Sequence, residues 1–544
     1  MHKYIFIALA AWSAAVPVLL AQEAPTSSAT VVVRTRSIVR QIPPTLFGTN
    51  TEWVWNGYGL WDERADRADP SLSRFAQQLG VTLIRYPGGM YADFYHWRQG
   101  VGPAAQRPVV PFRLGAPETG TIQFGTDEAL RFAEEAGAEL MITVNVGTGT
   151  PEEAAAWVRY VNRHRLRVRH WELGNELYIN DGTVSQGSIQ MPPQEYALKV
   201  LQFARAMRQA DPRIRIGAIG GHNQGAYGLV AYPDWNKIVL QTAGAVIDFL
   251  AVHNSYAPVN VSNQDGLRDV YAAMLAAPVL IKENLEEVSR QINAFAGPGA
   301  SRITIAVTEW GPFFQAFHAG RYVQHNRTLG SALFGASALK AFIDSPRTDI
   351  ANFHVFHDMS IMCWICSSDG SFPPKPNWTE TAPSMAFQLM RRHTGAQLVE
   401  TTVHSPAFDS PSIGLIGPVQ KVPYLEVLPT MSSDGKSLFL LVNNKHFDLP
   451  LTASITLEDF EPAALAEVST LNGTGIDAHT GTVPLQVPGV EWAAQAEDPA
   501  NPRFRLGGPG EITVTESRTP AGRQFTYTFP AHSLTALRLQ RLNP

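Results

Sequence analysis

Between residues 45 and 392 the chain repeats one pattern: an apolar run of strand length, then a longer stretch whose apolar residues recur at helical spacing. Eight such runs can be read, at 46–52, 82–86, 140–146, 168–173, 214–219, 249–255, 303–308 and 352–357. The helical stretches mark their own starts and stops. Thr150-Pro151-Glu152-Glu153 is a capping box with proline in the first turn and leads into 154–161. Residues 193–210 carry Tyr196, Val200, Phe203 and Met207 on one face before Asp211-Pro212 ends the helix. Strands separated by helices pair in parallel through crossovers, and eight of them over about 350 residues fit a closed (β/α)8 barrel. An open doubly wound sheet is the competing arrangement, but no glycine-rich phosphate loop follows the first run. The expected class is α/β, a TIM barrel spanning 46–392.

From about residue 394 the texture changes. Short alternating segments at 437–443, 453–457, 523–528 and 534–539 are separated by Gly, Pro, Asp and Ser, which predicts a β-sandwich domain over 393–544. Residues 29–42 alternate as well and precede the barrel, so the N-terminal segment 22–45 is expected to lend the sandwich a strand. Residues 1–21 stand apart. A basic His2-Lys3 start, an apolar stretch 4–20 interrupted by Pro17, and Ala21 ahead of Gln22-Glu23 read as an export signal peptide rather than an anchor. The mature protein is then expected to be secreted or periplasmic, with no membrane partner after cleavage.

With 45% hydrophobic and 10% aromatic residues, the 544-residue chain can fill a large core, which excludes disordered and fibrous classes. A formal charge of -5 with no basic run argues against nucleic acid as a partner. The two cysteines, Cys363 and Cys366, lack the second pair that a zinc site needs, which leaves a local disulfide or inert thiols. His354, His357 and Asp358 look like metal ligands, but on a strand the two histidines face opposite sides, so no metal is expected. Glycosylation acceptor triplets begin at Asn260, Asn326, Asn377 and Asn472.

In a barrel of this kind the catalytic groups gather at the C-terminal strand ends. Strand four runs into Trp171-Glu172-Leu173-Gly174-Asn175-Glu176, and strand seven into Val307-Thr308-Glu309-Trp310-Gly311. Carboxylates at these two ends can face each other across the mouth. Retaining glycosidases need such a pair, about 5–5.5 Å apart, one protonating the leaving oxygen and the other attacking the anomeric carbon. Glu172 lies inside its strand and reads as a structural ion pair, for example with Arg85. Glu176, just past the strand end, reads as the acid.

Several stretches are similar to a known family. They are Leu46-Phe47-Gly48-Thr49-Asn50-Thr51-Glu52, then Arg85-Tyr86-Pro87-Gly88-Gly89, Tyr95-His96-Trp97, Val101-Gly102-Pro103 and Gln106-Arg107-Pro108. The region from Phe124-Gly125-Thr126-Asp127-Glu128 through Val144-Asn145-Val146-Gly147-Thr148-Gly149-Thr150-Pro151, the Trp171–Glu176 stretch, and the closing Pro530-Ala531-His532-Ser533-Leu534-Thr535 complete the set. Together they resemble the α-L-arabinofuranosidases of glycoside hydrolase family 51, in the clan of (β/α)8 retaining glycosidases. The resemblance implies Glu176 as general acid/base and Glu309 as nucleophile. It implies that Asn175 and Glu52 bind sugar hydroxyls, that Tyr256 in His253-Asn254-Ser255-Tyr256 donates to the nucleophile, and that Arg85 supports it. Trp97 and Trp310 could offer apolar faces to the sugar. Read from the residues alone, Arg85 could equally be a core ion pair, His253 a satisfied core histidine or a ligand-facing one, and the two tryptophans packing groups.

The chain also departs from the family. Met90 stands where Asn usually follows the paired glycines, Tyr91-Ala92-Asp93-Phe94 replaces small and polar residues, and strand eight reads Phe353-His354-Val355-Phe356-His357-Asp358 where Gln is usual. The expectation is an exported retaining exo-glycosidase that removes terminal α-L-arabinofuranosyl units from arabinose-containing poly- or oligosaccharides. It needs no cofactor, and a homo-oligomer is compatible with the family. The departures keep two alternatives: the same mechanism on another glycoside (a β-D-galactofuranoside, pyranoside or uronide), and a non-catalytic carbohydrate-binding barrel.

Overall fold

The computed structural model describes residues 27–112, 119–164, 168–179, 189–221, 232–315, 321–358, 362–367, 378–481 and 510–542. Residues 1–21, expected to be a signal peptide, and Asn377 lie outside the described residues. Eight parallel strands form the barrel: Gly48–Asn50, Leu83–Tyr86, Glu139–Val144, His170–Leu173, Arg215–Ile219, Phe249–Val252, Thr304–Pro312 and Thr348–Phe353. Each pairs with the next in chain order, and the eighth pairs with the first to close the ring. One expected run supplies each strand.

Several runs overshoot their strand, the sixth and the eighth furthest, and the eighth also misses its strand's first four residues, which begin at Thr348. The sixth leaves the barrel after Val252, and Ser255–Ala257 pairs separately with Trp310–Pro312 at the top of strand seven. The eighth strand ends at Phe353, and His357–Asp358 pairs outside the barrel with Ile365–Ser367. That outer piece stays apolar because it is also buried: Trp364 stacks on Phe353 at 4.5 Å and on Phe387 at 4.1 Å.

Side-chain alternation divides the barrel interior into layers. Leu83, Met141, Phe249, Ala251, Ala306 and Ile350 form a dry inner cluster. Two residues further along the same inward faces come Arg85, Thr143, His253, Thr308 and Asn352, all buried. The inner layer closes the barrel and the next is polar. Glycine is required in this packing at Gly217, where a Cβ would meet the Phe249 ring at 1.9 Å, and at Gly48, where it would meet Asn352 Oδ1 at 2.3 Å.

Helix Pro151–Val161 starts as the sequence suggests, with the Thr150 hydroxyl accepting the Glu153 N–H at 3.2 Å. Helix Leu329–Asp344 is buried almost all round, which its uniformly apolar sequence requires. It lies between the barrel and a nine-stranded sheet that contains Ser27–Gln41, Gln397–His404, Leu425–Met431, Ser437–Asn444, Leu451–Glu458, Leu465–Gly473, Ile512–Pro520, Gln524–Phe529 and Ser533–Gln540. Strand Ser27–Gln41 runs antiparallel to Gln397–His404 and parallel to Leu451–Glu458, so the N-terminal segment joins this sheet. Leu398, Leu428, Leu441, Leu471, Leu534 and Ala536 face the barrel core. Their neighbours Val399, Val427, Leu440, Val468 and Leu537 face away from it, yet they are buried with Val31, Val33, Ala453 and Ile455. The sheet therefore folds over a second core, as a sandwich does.

Cys363 and Cys366 form a disulfide in the connection after strand eight. Asn326 is only 2% exposed, which leaves no room for a glycan at that triplet. Among the described residues no helix is long and apolar enough to cross a membrane.

Candidate active site

The polar layer is organised around Arg85 on strand two, which is fully buried. Its Nε donates to Glu172 Oε2 at 2.6 Å, one Nη to Glu309 Oε1 at 2.9 Å, and the other to Asn175 Oδ1 at 2.7 Å. Burial opposes the guanidinium charge, but the attraction of Glu172 and Glu309 outweighs it and raises the Arg85 pKa. The two readings of Arg85 are thus both realised: it makes the core ion pair with Glu172 and reaches the strand-seven carboxylate. Glu172 also accepts from the Thr143 hydroxyl at 2.8 Å and from Thr308 at 2.6 Å, which occupies it fully as a structural anion.

Glu309 sits at the mouth with its second oxygen, Oε2, taking the Tyr256 hydroxyl at 2.8 Å. Burial pushes its carboxyl upward, yet His253, His354, Arg85 and the Tyr256 hydroxyl together hold it well below the usual carboxylate range. It is ionised at neutral pH. Opposite it, Glu176 Oε1 lies 2.8 Å from His253 Nδ1, and the nearest ligand atoms of Glu176, His253 and Glu309 all fall within 4.8 Å of one another. That separation suits a double displacement.

The hydrogen-bond pattern fixes part of the proton inventory. Thr308 has one hydroxyl proton and gives it to Glu172 Oε1 at 2.6 Å, so it accepts from His253 Nε2 at 2.9 Å. Nε2 therefore carries hydrogen, and the contact between Nδ1 and Glu176 holds one shared proton. Burial disfavours charge on His253, but Glu309 and the bond to Glu176 overcome it and raise the pKa above the ordinary value. The site consequently stores a proton beside Glu176 and excludes one from Glu309. The trio's spacing would also admit a metal ion, but the Arg85 guanidinium already bonds Glu309 and would repel a cation there.

Asn175 Oδ1 is committed to Arg85, while its buried Nδ2 has no hydrogen-bond partner among the described residues, which leaves a donor open at the mouth. The paired glycines explain how Glu52 enters the same pocket. A Cβ on Gly89 would lie 3.1 Å from Glu309 Oε1 and 3.2 Å from Glu52 Oε1, and one on Gly88 only 2.5 Å from Glu52 Cγ. Gly88 also needs φ of +88°.

Two of the named residues lie elsewhere. Trp97 is buried against helix Pro151–Val161: it stacks on Trp157, touches Tyr160 at 4.9 Å, carries Arg98 over its ring and donates to the Glu153 carbonyl. No ring face remains for a sugar. Trp310 follows Glu309 on a strand, so it points to the opposite side and packs edge-on against Phe342 and Phe353. Both are packing residues.

Two residues not assigned to the site belong near it. His354, at the end of strand eight, has Nδ1 3.8 Å from Glu309 Oε2; burial lowers its pKa while the Glu309 carboxylate pulls the other way. His357 is remote from it, with Nε2 donating to the Gly57 carbonyl. Asp93 is fully buried beside strands three and four; burial drives its carboxyl up to about 6, with the Asn175, Gly147 and Val146 N–H groups pulling the other way. The signals available were the odd strand-eight sequence and the acid within Tyr91-Ala92-Asp93-Phe94.

Residues 75–252 match the family described as alpha-L-arabinofuranosidase 1 domain. The chain is 26% identical over 506 residues to a probable alpha-L-arabinofuranosidase C of Aspergillus niger, covering 89% of this chain and 90% of the relative. Among solved structures, the arabinose complex of an alpha-L-arabinofuranosidase from Thermotoga maritima superposes with TM-score 0.75 at 26% identity, over 94% of this chain and all of that one. A GH51 alpha-L-arabinofuranosidase from Thermotoga petrophila gives TM-score 0.74 at 25% identity, with the same coverage. A proton-sharing glutamate and an ionised one at the mouth of this barrel, together with likeness along nearly the whole chain, make it similar to the glycoside hydrolase family 51 α-L-arabinofuranosidases.

Proposed function

We propose that the protein is an exported retaining exo-glycosidase that releases terminal α-L-arabinofuranosyl residues by double displacement. The observation that carries this reading is the pairing of an ionised Glu309 with a proton-sharing Glu176 within 4.8 Å. In the first step Glu309 Oε2 attacks the anomeric carbon while Glu176 delivers its proton to the glycosidic oxygen; the C–O bond breaks and the aglycone leaves as an alcohol. In the second, Glu176 takes a proton from water, the water oxygen bonds the anomeric carbon, and the bond to Glu309 breaks. Arg85 and Tyr256 stabilise the carboxylate before attack and as it leaves. Asn175 Nδ2 and Glu52 supply the donor and acceptor for the sugar hydroxyls.

Export is supported by the apolar segment 4–20 and by the disulfide, which persists in oxidising compartments. N-terminal sequencing of protein from a secreting host should begin at Gln22.

The test of the activity is a panel of aryl glycosides, with the anomeric form of the first product followed by NMR. Release from the α-L-arabinofuranoside with retention is the expected result. Inversion would overturn the mechanism. Faster turnover of another furanoside, a pyranoside or a uronide would keep the mechanism and overturn the sugar, and His354 at the Glu309 end of the pocket would then be its cause. No hydrolysis of any member would leave the binding-protein reading.

A further inference from the structure

Asp93 lies in the segment that departs from the family, and its side chain makes three bonds that the reaction scheme does not use. Its carboxylate joins two loops at the barrel mouth. Oδ1 accepts the N–H groups of Val146 at 2.9 Å and Gly147 at 2.8 Å, just past strand three. Oδ2 accepts the Asn175 N–H at 2.7 Å, just past strand four. The backbone of Asp93 is held in turn, its carbonyl accepting the Thr148 hydroxyl at 2.9 Å.

The bond to Asn175 falls at a special place. Gly174 before it has φ of +82°, and Glu176 after it has φ of +46°. Glycine adopts this left-handed conformation freely, whereas a residue with a Cβ does so against steric resistance. Glu176 therefore stays in its turn only if something on either side holds it there. From the side chain, Arg85 grips Asn175 Oδ1. From the backbone, the grip is Asp93. Left free, the turn would relax toward negative φ and carry the Glu176 carboxyl off His253 Nδ1 and away from the leaving oxygen. Serving both loops takes two acceptor oxygens, and the carboxylate that supplies them is kept here against its own desolvation.

We propose that Asp93 is a positioning residue for the acid: by gripping the Asn175 N–H it keeps Glu176 in the left-handed turn that aims its carboxyl at the glycosidic oxygen. This rests on the reading of Glu176 as the acid. The role predicts a dependence on the leaving group. Dinitrophenolate departs without a proton, whereas a methylphenolate or an alkoxide needs one, so loss of aim at Glu176 harms the second kind of substrate selectively.

The experiment measures kcat/KM, which reports glycosylation, for aryl α-L-arabinofuranosides across that range of leaving groups in wild type, Asp93→Asn, Asp93→Ser and Glu176→Gln. An amide has one acceptor oxygen where the carboxylate has two, so Asp93→Asn cannot serve both loops. For both Asp93 variants a loss of roughly 10- to 100-fold is expected on the methylphenyl substrate, against less than about threefold on the dinitrophenyl one. Glu176→Gln should show the same pattern more steeply. Equal losses on both substrates, or no loss, in the Asp93 variants overturn the proposal while a steep Glu176→Gln pattern leaves the acid assignment intact. A flat pattern in Glu176→Gln would overturn the acid assignment and this role with it. Failure of both Asp93 variants to fold, seen by circular dichroism, would overturn it as well, because the role then belongs to the barrel and not to the turn.

Discussion

Glu426, partly buried between the barrel and the sandwich, and Glu309, buried at the barrel mouth, are both carboxylates held against a cation. Glu426 Oε1 takes Lys445 Nζ at 2.7 Å and its other oxygen takes the Ser337 hydroxyl. Lys445 is fully buried and reaches the Leu275 carbonyl as well, while the Asn443 amide donates to Leu333 O and Ser337 Oγ. Both oxygens of Glu426 serve to join strand Ser437–Asn444 to helices Leu329–Asp344 and Leu267–Phe295. Glu309 gives only Oε1 to its cation. Around Oε2 crowd a hydroxyl, two imidazoles and the opposing Glu176, all belonging to the mouth. Pairing to a cation is common to both regions. What differs is whether one oxygen is left facing several groups that can exchange a proton.

Exchanging the lost partner should therefore separate activity from stability in opposite senses. Glu309→Ala is expected to lower kcat by about 10⁴-fold or more, since it removes the attacking oxygen. The fold should survive, because Arg85 keeps Glu172, Asn50 and Asn175; thermal melts alongside kinetics check both. Lys445→Met should do the reverse. It leaves a partly buried carboxylate without its lysine, a loss of about 1–3 kcal/mol in denaturant unfolding, with kcat per folded molecule unchanged.

The pH dependence sharpens the same contrast. Burial pushes the Glu426 carboxyl up, but Lys445 and Lys340 lower it below its ordinary 4.5. In wild type this pair's stabilisation is complete above that ordinary value and is lost as the pH falls through the lower folded one. In Lys445→Met burial acts with less opposition, the folded carboxyl titrates higher, and acidification from about pH 7 to pH 5 should recover part of the lost stability. A variant that weakens on acidification over that range would mean that burial does not raise the Glu426 carboxyl.

The two regions also differ in how far the sequence reveals them. Barrel strands buried on both faces must be continuous apolar runs, so all eight could be read from the sequence, and the glutamates at the ends of strands four and seven followed from position alone. Strand eight extends in the sequence past its end because the connection beyond Phe353 is buried against Trp364 and Phe387, and apolarity does not distinguish a strand from a buried loop. Trp310 looks like a sugar platform because it adjoins Glu309, although adjacency on a strand sends it to the other face. His253 proves to be both satisfied and site-facing, one ring nitrogen on Thr308 and the other on Glu176. The partners of Asp93 lie 53, 54 and 82 residues away, so no local pattern could announce what it holds. The Lys445–Glu426 pair is hidden for the same reason: only the docking of two domains buries it.

Tyr256→Phe gives the smallest effect and the finest test of the comparison. Its hydroxyl bonds Glu309 Oε2 at 2.8 Å and helps to keep that carboxyl ionised. Removing it leaves Arg85 on Oε1, so the nucleophile remains charged at neutral pH and the fold is untouched. The ionised form has lost one donor, so the Glu309 pKa must rise, and the acid limb of kcat/KM should move upward by about one pH unit. At the neutral plateau the loss should be about tenfold, the share of one hydrogen bond to a charged group. An acid limb that stays in place would mean that His253, His354 and Arg85 alone set the charge of Glu309. The mouth would then resemble the Glu426 site, where a cation holds the carboxylate and the hydroxyl beside it only fills a lone pair.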